Sequence, residues 1–340
     1  MTPELPLTPI ETGALTIYPY GICLAAAVLI CAIFAAVRVQ KLADGPRRLT
    51  WFLVLALPIG LLLSRLGWCL CTFEQTIQYI EEDGILYLFQ FNRGGLLIFG
   101  ALAGSFLALL LSSRITRGNA AELADALAAP AMLMIVFRKL SDLVTGEGYG
   151  WPVSEWFSGE GMSLITLEDP SFFCRFPIAL PDMYDGWRWA VCVFEAILAL
   201  VLLFVLDRKR PLRQGGKAVL FLILYASTQL LCESMRQDAV LRWGFVRVNQ
   251  ILGAILLLGL MIRGLTQLDQ KTRKKVMLPG LLLLIGGFLV ITAMEFALEG
   301  KISLIESMPM DVCYLIMAGG VALTLAGSLK VWKPVFSSRK

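Results

Sequence analysis

Charged side chains inside long apolar runs are the residues of this 340-residue sequence best placed to do chemistry. An ionisable group in hydrocarbon costs about 3 kcal/mol or more unless it is paired or hydrated, so each one is a functional candidate. They are Arg65 in LSRLGW, Glu122 and Asp125 in ELADALAAP, Arg138 and Lys139 in FRKLSD, Glu195 in VFEAIL, and Glu233 and Arg236 in CESMRQD; Glu147 follows Arg138 in a glycine-rich stretch. Arginine grips a phosphate through a planar fork of donors, which makes Arg65, Arg138 and Arg236 the phosphate candidates. The plainer alternatives are an arginine that snorkels to headgroups from a helix end, or a paired structural ion at Arg65 or Asp125.

The elements that position these groups follow from composition. Hydrophobic residues make up 57% of the chain and charged residues 16%, which excludes a water-soluble domain and leaves lipid as the solvent. A helix needs about 20 mostly apolar residues to cross the hydrocarbon. Nine such runs occur, at 17–36, 51–69, 95–112, 120–137, 187–206, 218–235, 248–265, 277–296 and 312–331. None alternates apolar and polar residues as a membrane strand does, so an all-α polytopic bundle of nine spans is expected.

Basic residues collect in cytoplasmic loops. With the N-terminus outside, the inside loops hold Arg38, Lys41, Arg47 and Arg48; Arg114 and Arg117; Arg208, Lys209, Arg210, Arg213 and Lys217; Lys271, Arg273, Lys274 and Lys275; and Lys330, Lys333, Arg339 and Lys340. The outside loops then hold the acidic residues, among them Glu81, Glu82, Asp83, Glu155, Glu160, Glu168, Asp169, Asp182, Asp185, Glu299 and Glu306. An outside N-terminus, a cytoplasmic C-terminus and an odd number of spans follow. This register places Arg65, Arg138, Glu147, Glu233 and Arg236 toward the outer half of the membrane. The start of the chain, 1–16, is acidic and proline-rich, so no cleavable signal peptide is expected.

Residues 138–186 form the longest outside stretch and, with Trp151, Trp156 and Trp187, read as an ordered extracytoplasmic cap. Residues 1–268 read as the core unit. Beyond the charged stretch 269–276, residues 277–340 read as an appended two-span hairpin with few intramembrane polar groups and a cytoplasmic tail. The eight cysteines are expected to be free and packed, with Cys69 and Cys71 a weaker redox alternative. The chain has no histidine and no CxxC pair, so no metal site or cofactor is expected. The stretch GGLLIFGALAG, 94–104, reads equally as a close-packing face of small residues or as part of a binding site.

The order of these motifs resembles the prolipoprotein diacylglyceryl transferases, seven-span bacterial inner-membrane enzymes with the N-terminus outside. IYPYGI (17–22) is similar to the family's first-span Tyr-Gly element, LSRLGW (63–68) to its Ala-Arg-Leu-Gly-Tyr element, GGLLIFGALAG to its glycine-rich third span, and ELADALAAP (122–130) to Ala-Asp-Leu-x-Ala-Pro. FRKLSDLVTGEGYG (137–150) stands in the place of the Gly-Arg-x-Gly-Asn signature, VFEAIL (193–198) resembles Tyr-Glu-Ala, and ESMRQD with VNQIL (248–252) resembles the final Glu-x-x-Arg and Gln elements. The resemblance implies transfer of a diacylglyceryl group from phosphatidylglycerol to the lipobox cysteine of an exported prolipoprotein, releasing glycerol phosphate. The partners it implies are phosphatidylglycerol, the signal peptides of exported prolipoproteins and membrane lipid, with no nucleic acid.

On that resemblance Arg138, Arg236 and Glu147 form the catalytic set, and Tyr20, Arg65, Gly95, Phe99, Gly100, Asp142, Gly150 and Glu233 bind or orient lipid and substrate. With no histidine, the thiol proton falls to Glu147, Asp142 or Glu233. The sequence departs from the family at Phe99, where a polar residue is usual, at Phe137 in place of the signature glycine, in its missing signature asparagines, and in its two extra spans. Those departures leave a catalytically inactive paralogue that binds phospholipid or a membrane partner as the alternative, and a small-solute transporter third.

Overall fold

Backbone groups in lipid have no partners but each other, and helices satisfy them within one segment. The structure, a computed structural model, describes residues 9–12, 15–91, 95–157, 172–181, 186–209, 213–238, 241–244, 246–301 and 308–337. Of the positions read above, 1–8, 13–14, Gly94, 158–171, 182–185, Arg210, Glu306, Arg339 and Lys340 lie outside the described residues; Glu160, Glu168, Asp169, Asp182 and Asp185 fall in those ranges.

A short hairpin, β1 (Ile10–Thr12) with β2 (Leu15–Ile17), precedes α1 (Pro19–Val39) and α2 (Gly45–Cys71). The amphipathic α3 (Phe73–Asp83) and a 3-10 turn over Ile85–Phe89 lead to α4 (Ile98–Ile115) and α5 (Ala120–Thr145). Then come α6 (Val153–Phe157), the antiparallel pair β3 (Ala179–Pro181) and β4 (Trp187–Trp189), α7 (Val191–Arg208) and α8 (Gly216–Met235). A third antiparallel pair, β5 (Arg242–Trp243) and β6 (Val246–Arg247), turns the chain into α9 (Val248–Thr266), and α10 (Gln270–Leu298) and α11 (Met310–Phe336) complete it. Eight of these helices are long and apolar enough to cross a membrane. The remaining long helix, α7, matches α4 in length but carries Glu195, Asp207 and Arg208. The chain is a polytopic helical membrane protein.

Several boundaries differ from the hydropathy reading for local reasons. Helix α4 begins at Ile98 and not at 95, because Gly95 takes φ +70° and Leu97 is extended. Helix α7 begins at Val191, because Trp187–Trp189 pairs as a strand with Ala179–Pro181. Helix α5 continues to Thr145, so Arg138 lies about two turns inside the helix rather than at its end. The basic stretch 271–275 belongs to the first turns of α10, capped by the Asp269 carboxylate, which accepts from the Thr272 amide at 3.0 Å.

The chain forms two compact units, Ala32–Ala128 and Met1–Cys31 with Ala129–Lys340. In the first, α2 and α4 meet through small residues: a Cβ on Gly104 would stand 2.5 Å from the Gly60 Cα, and one on Gly100 would strike the Leu63 carbonyl and, at 2.7 Å, the Ser64 Cα. The Arg48 guanidinium bonds the Asn119 carbonyl and pairs with Glu122 at 3.5 Å, so Glu122 is a structural ion here.

In the second unit a core that includes Ile223, Leu257, Leu284, Met317 and Trp332 joins α8, α9, α10 and α11. Helices α10 and α11 also approach through glycines. A Cβ on Gly287 would meet the Gly320 carbonyl oxygen at 2.5 Å, and one on Gly327 the Gly280 oxygen at 2.7 Å. Cys31, Cys69, Cys192, Cys232 and Cys313 are buried, in keeping with packed cysteines.

Candidate functional site

The turn after α5 organises the second unit's polar cluster. Gly146 and Gly148 take φ of +70° and +73°, a region open to glycine, and so turn the chain back beneath the end of α5. A Cβ on Gly148 would stand 2.7 Å from the Cys192 Cβ, and one on Gly150 would stand 2.7 Å from the Val191 Cγ2 and 2.9 Å from the Met235 carbonyl. This close approach stitches three stretches together. The Cys192 amide donates to the Gly148 carbonyl at 2.9 Å, the Gln237 amide to the Tyr149 carbonyl at 2.9 Å, and the Gly150 amide to the Trp189 carbonyl at 2.7 Å.

Both arginines of interest sit at this junction. Arg138 Nη1 donates to Asp142 Oδ2 at 3.4 Å, one helical turn on, with the Arg138 side chain 34% exposed and Asp142 buried. Arg236 follows the last residue of α8 and forks onto Asp238 through Nε–Oδ1 at 3.0 Å and Nη2–Oδ2. The Gly148 amide donates to the same Asp238 carboxylate at 3.0 Å, which ties the glycine turn to the arginine. Burial pushes the Asp238 carboxyl up, but its bonds from Arg236 and Gly148 outweigh that and hold it below the ordinary carboxylate range. Burial opposes the charge on Arg236, yet Asp238, Glu195 and Glu233 together raise its pKa well above the usual value.

Glu147 reaches the surface, but its carboxyl stands above the ordinary glutamate range: desolvation raises it first, then Asp142 and Asp238, against a smaller downward pull from Arg236 and Arg138. Tyr20, at the start of α1, lies in the fields of Arg138, Asp142 and Glu147. Glu233 is buried and accepts from Asn249 Nδ2 at 3.0 Å. Tyr20, Arg138, Asp142, Glu147, Gly150, Glu233 and Arg236 therefore belong to one neighbourhood drawn from distant parts of the chain.

The remaining expected site residues lie in the other unit. Arg65 is fully buried; its Nη2 donates to the Tyr87 carbonyl at 3.2 Å, its Nη1 to the Gly95 carbonyl at 3.5 Å, and the guanidinium lies over the rings of Trp68 and Tyr87. Gly95 permits this: a Cβ there would stand 2.7 Å from both Arg65 Nη1 and Trp68 Cδ2. Phe99 is half-buried on the first turn of α4, and Gly100 is covered by the α2 backbone.

Three polar pairings are not read from the sequence. Asp238 lies only two residues beyond Arg236, and that spacing was the available signal. Lys139 and Glu195 form a buried ion pair at 2.5 Å beside a cavity that admits about one water-sized sphere, lined also by Tyr225, Thr228 and Gln229. Glu295, in a hairpin expected to be poor in intramembrane polar groups, is 4% exposed and paired with Arg247 at 3.5 Å. The Lys139–Glu195 and Arg247–Glu295 partners lie far apart in sequence, so no local pattern announces either pairing.

A family model described as prolipoprotein diacylglyceryl transferase matches residues 8–264. Among curated proteins the chain is 25% identical to the phosphatidylglycerol–prolipoprotein diacylglyceryl transferase of Listeria welshimeri, over 74% of this chain and 87% of that protein. It is 25% identical to the enzyme of the same name from Staphylococcus xylosus, over 73% and 84%. It is 24% identical to that of Halalkalibacterium halodurans, over 74% and 83%.

Proposed function

Because the chain belongs to the prolipoprotein diacylglyceryl transferase family, we propose that it transfers the diacylglyceryl group of phosphatidylglycerol to the lipobox cysteine of exported prolipoproteins. The cysteine sulfur attacks the glycerol carbon that carries the phosphate ester. The carbon–oxygen bond breaks, its electron pair leaves with glycerol phosphate, and the thiol proton passes to a carboxylate. Arg138 and Arg236 hold the phosphate and stabilise the charge that grows on the leaving oxygen, which is catalysis by preorganised donors. Asp142 and Asp238 brace these guanidinium groups, and Arg236 uses only part of its five-donor fork on Asp238.

Glu147 is the proton acceptor, because a carboxylate raised above its usual range is a better base for a thiol near neutrality. Tyr20, Gly150 and Glu233 line the site. In the other unit Arg65 holds the segment around Tyr87 and Gly95, and Phe99 and Gly100 shape the α4 start beside it. The chain crosses a bacterial cytoplasmic membrane nine times with the N-terminus outside; residues 1–268 are the transferase-like core with its cap, and 277–340 are an added hairpin. The family match ending at residue 264 supports that division.

The observation that carries the reading is that the glycine turn closing the helix of Arg138 donates, through the Gly148 amide, to the Asp238 carboxylate that Arg236 grips, which joins two arginines about a hundred positions apart in the chain. The test is purified protein in phosphatidylglycerol vesicles with a lipobox peptide, read by mass. A gain of one diacylglyceryl group, reduced about 10²- to 10³-fold in Arg138→Ala and Arg236→Ala, is the expected result. Retained phospholipid without product from the unaltered protein overturns the transferase reading in favour of an inactive lipid binder.

A further inference from the structure

The end of α8 raises a backbone question. A helix terminus leaves its last carbonyls without in-helix donors, and such groups are costly away from water. Here the arginine proposed to hold phosphate, Arg236, is the residue at that terminus. Its carbonyl accepts from Arg247 Nη2 at 2.7 Å, and the Ser234 carbonyl accepts from the Tyr314 hydroxyl at 3.1 Å. Tyr314 belongs to α11. Arg247 precedes α9, but the carboxylate that holds it is Glu295 of α10, 3.5 Å away.

Glu295 is fixed in turn. Its Oε1 accepts from Gln250 Nε2 at 2.5 Å, and the same Gln250 nitrogen donates to the Leu230 carbonyl of α8 at 2.9 Å. Tyr314 is fixed as well, stacked on Trp156 with ring centroids 5.2 Å apart and accepting from Trp151 Nε1 at 2.9 Å. Arg247, Glu295 and Tyr314 are all buried. The outer ends of α10 and α11 therefore converge on the exit of α8 from two sides.

Resting on the transferase reading, we propose that the α10–α11 hairpin is a positioning element of the active site: Glu295, through Arg247, and Tyr314 directly, fix the backbone from which Arg236 reaches the lipid phosphate. A hairpin that only added membrane anchorage would have no need to supply this one helix terminus with a donor, Tyr314, and with a carboxylate, Glu295, that holds a second donor, Arg247. Glu295 and Tyr314 are positioning residues, since neither is placed against substrate.

The test uses the full chain in phosphatidylglycerol vesicles with a lipobox peptide, comparing Glu295→Gln and Tyr314→Phe with Trp332→Phe. The last removes a hairpin bond of another kind, from Trp332 Nε1 to the Leu260 carbonyl at 3.0 Å, remote in sequence from the α8 exit. The KM for phosphatidylglycerol, the KM for peptide, kcat and the unfolding temperature are measured for each. Expected is a loss of about tenfold in kcat/KM for the lipid in Glu295→Gln and Tyr314→Phe, with the peptide KM unchanged, and lipid kinetics unchanged in Trp332→Phe. Glu295→Asp, which keeps the charge, is expected to recover part of the loss.

If all three variants lose activity only in step with folded protein, the positioning role is overturned. Phosphatidylglycerol retention by the same variants separates the two ideas. Wild-type protein that binds the lipid but makes no product removes the transferase reading, while a binding defect confined to Glu295→Gln and Tyr314→Phe keeps the positioning role. Equal retention by every variant in that case removes the positioning role too, as does wild-type protein that neither binds nor turns over the lipid.

Discussion

On the proposed transferase reading Glu147 takes the thiol proton in a chain without histidine, and its neighbours set how well it can. Desolvation and the Asp142 and Asp238 carboxylates favour its protonated form, against the opposing pull of Arg236 and Arg138. A base with a raised pKa loses its working form at a higher pH than an ordinary glutamate. The acid limb of kcat/KM is therefore expected above the usual glutamate range, and Asp142→Asn, which removes a charge pushing Glu147 up, is expected to move that limb down while lowering the plateau. Glu147→Gln is expected to cost about 10²- to 10⁴-fold in rate. An acid limb that stays in place in Asp142→Asn argues for a different proton acceptor. The sign also fixes stability: a raised carboxyl favours the folded state at low pH and loses that contribution as pH rises through its folded value. Glu147→Gln is thus expected to unfold at a higher temperature than wild type near neutrality, with the difference closing in acid.

The residues that turn the backbone beside Glu147 were legible only in part. The run Gly-Glu-Gly-Tyr-Gly announces a turn, and the arginine and glutamate within its motif announce chemistry. What the motif does not reveal is that Gly148 must approach Cys192 and donate to Asp238, because both partners arrive from later parts of the chain, the start of α7 and the segment after α8. Gly148→Ala combines a left-handed φ with a Cβ 2.7 Å from the Cys192 Cβ. We expect it to cost about 1–3 kcal/mol of stability, read by thermal unfolding, and to depress activity by loosening the Asp238 brace.

At the scale of elements, α5 delivers two adjacent cations to different places. Successive residues on a helix point about 100° apart, so Arg138 turns toward Asp142 and a partly open face while Lys139 is driven inward against Glu195 of α7. The hydropathy pattern located both helices and flagged both charges. It did not pair them, since 56 positions separate the partners and nothing in either segment records the other. A buried pair is costly to break from one side, because the survivor stays charged without compensation. Glu195→Gln or Lys139→Met alone is expected to lose about 3–5 kcal/mol, whereas the double variant Lys139→Met with Glu195→Leu is expected to unfold near the wild-type temperature or above it. A double variant as unstable as the singles identifies the water-sized cavity or its lining, and not the ion pair, as the source of the loss.

For the whole molecule the deciding helix is α7. Hydropathy marks eight helices as able to cross a membrane and leaves α7 aside for its three charged residues. From the contacts at the glycine turn we propose that it crosses all the same. The end of α5 and the end of α8 meet there, through Gly148 and Asp238, so both helices run toward the same face. A chain that reaches that face at residue 146 and reaches it again at residue 236 has to return between the two, and α7, about 27 Å long at 18 residues, is the only long helix among the described residues available to carry it back. Its glutamate is tolerable in lipid because Lys139 answers it. The nine crossings we propose would put most of the basic residues on one side, from Arg38 and Lys41 to Lys330 and Lys333. Fusions of a fluorescent reporter that matures only in the cytoplasm are expected to light up after Arg117, Lys209, Asp269 and Ser337, and fusions of an exported phosphatase to be active after Asp83 and Glu299. Phosphatase activity after Lys209 removes α7 from the membrane and inverts every later helix, which would carry Arg236 to the face opposite Arg138 and dissolve the shared site.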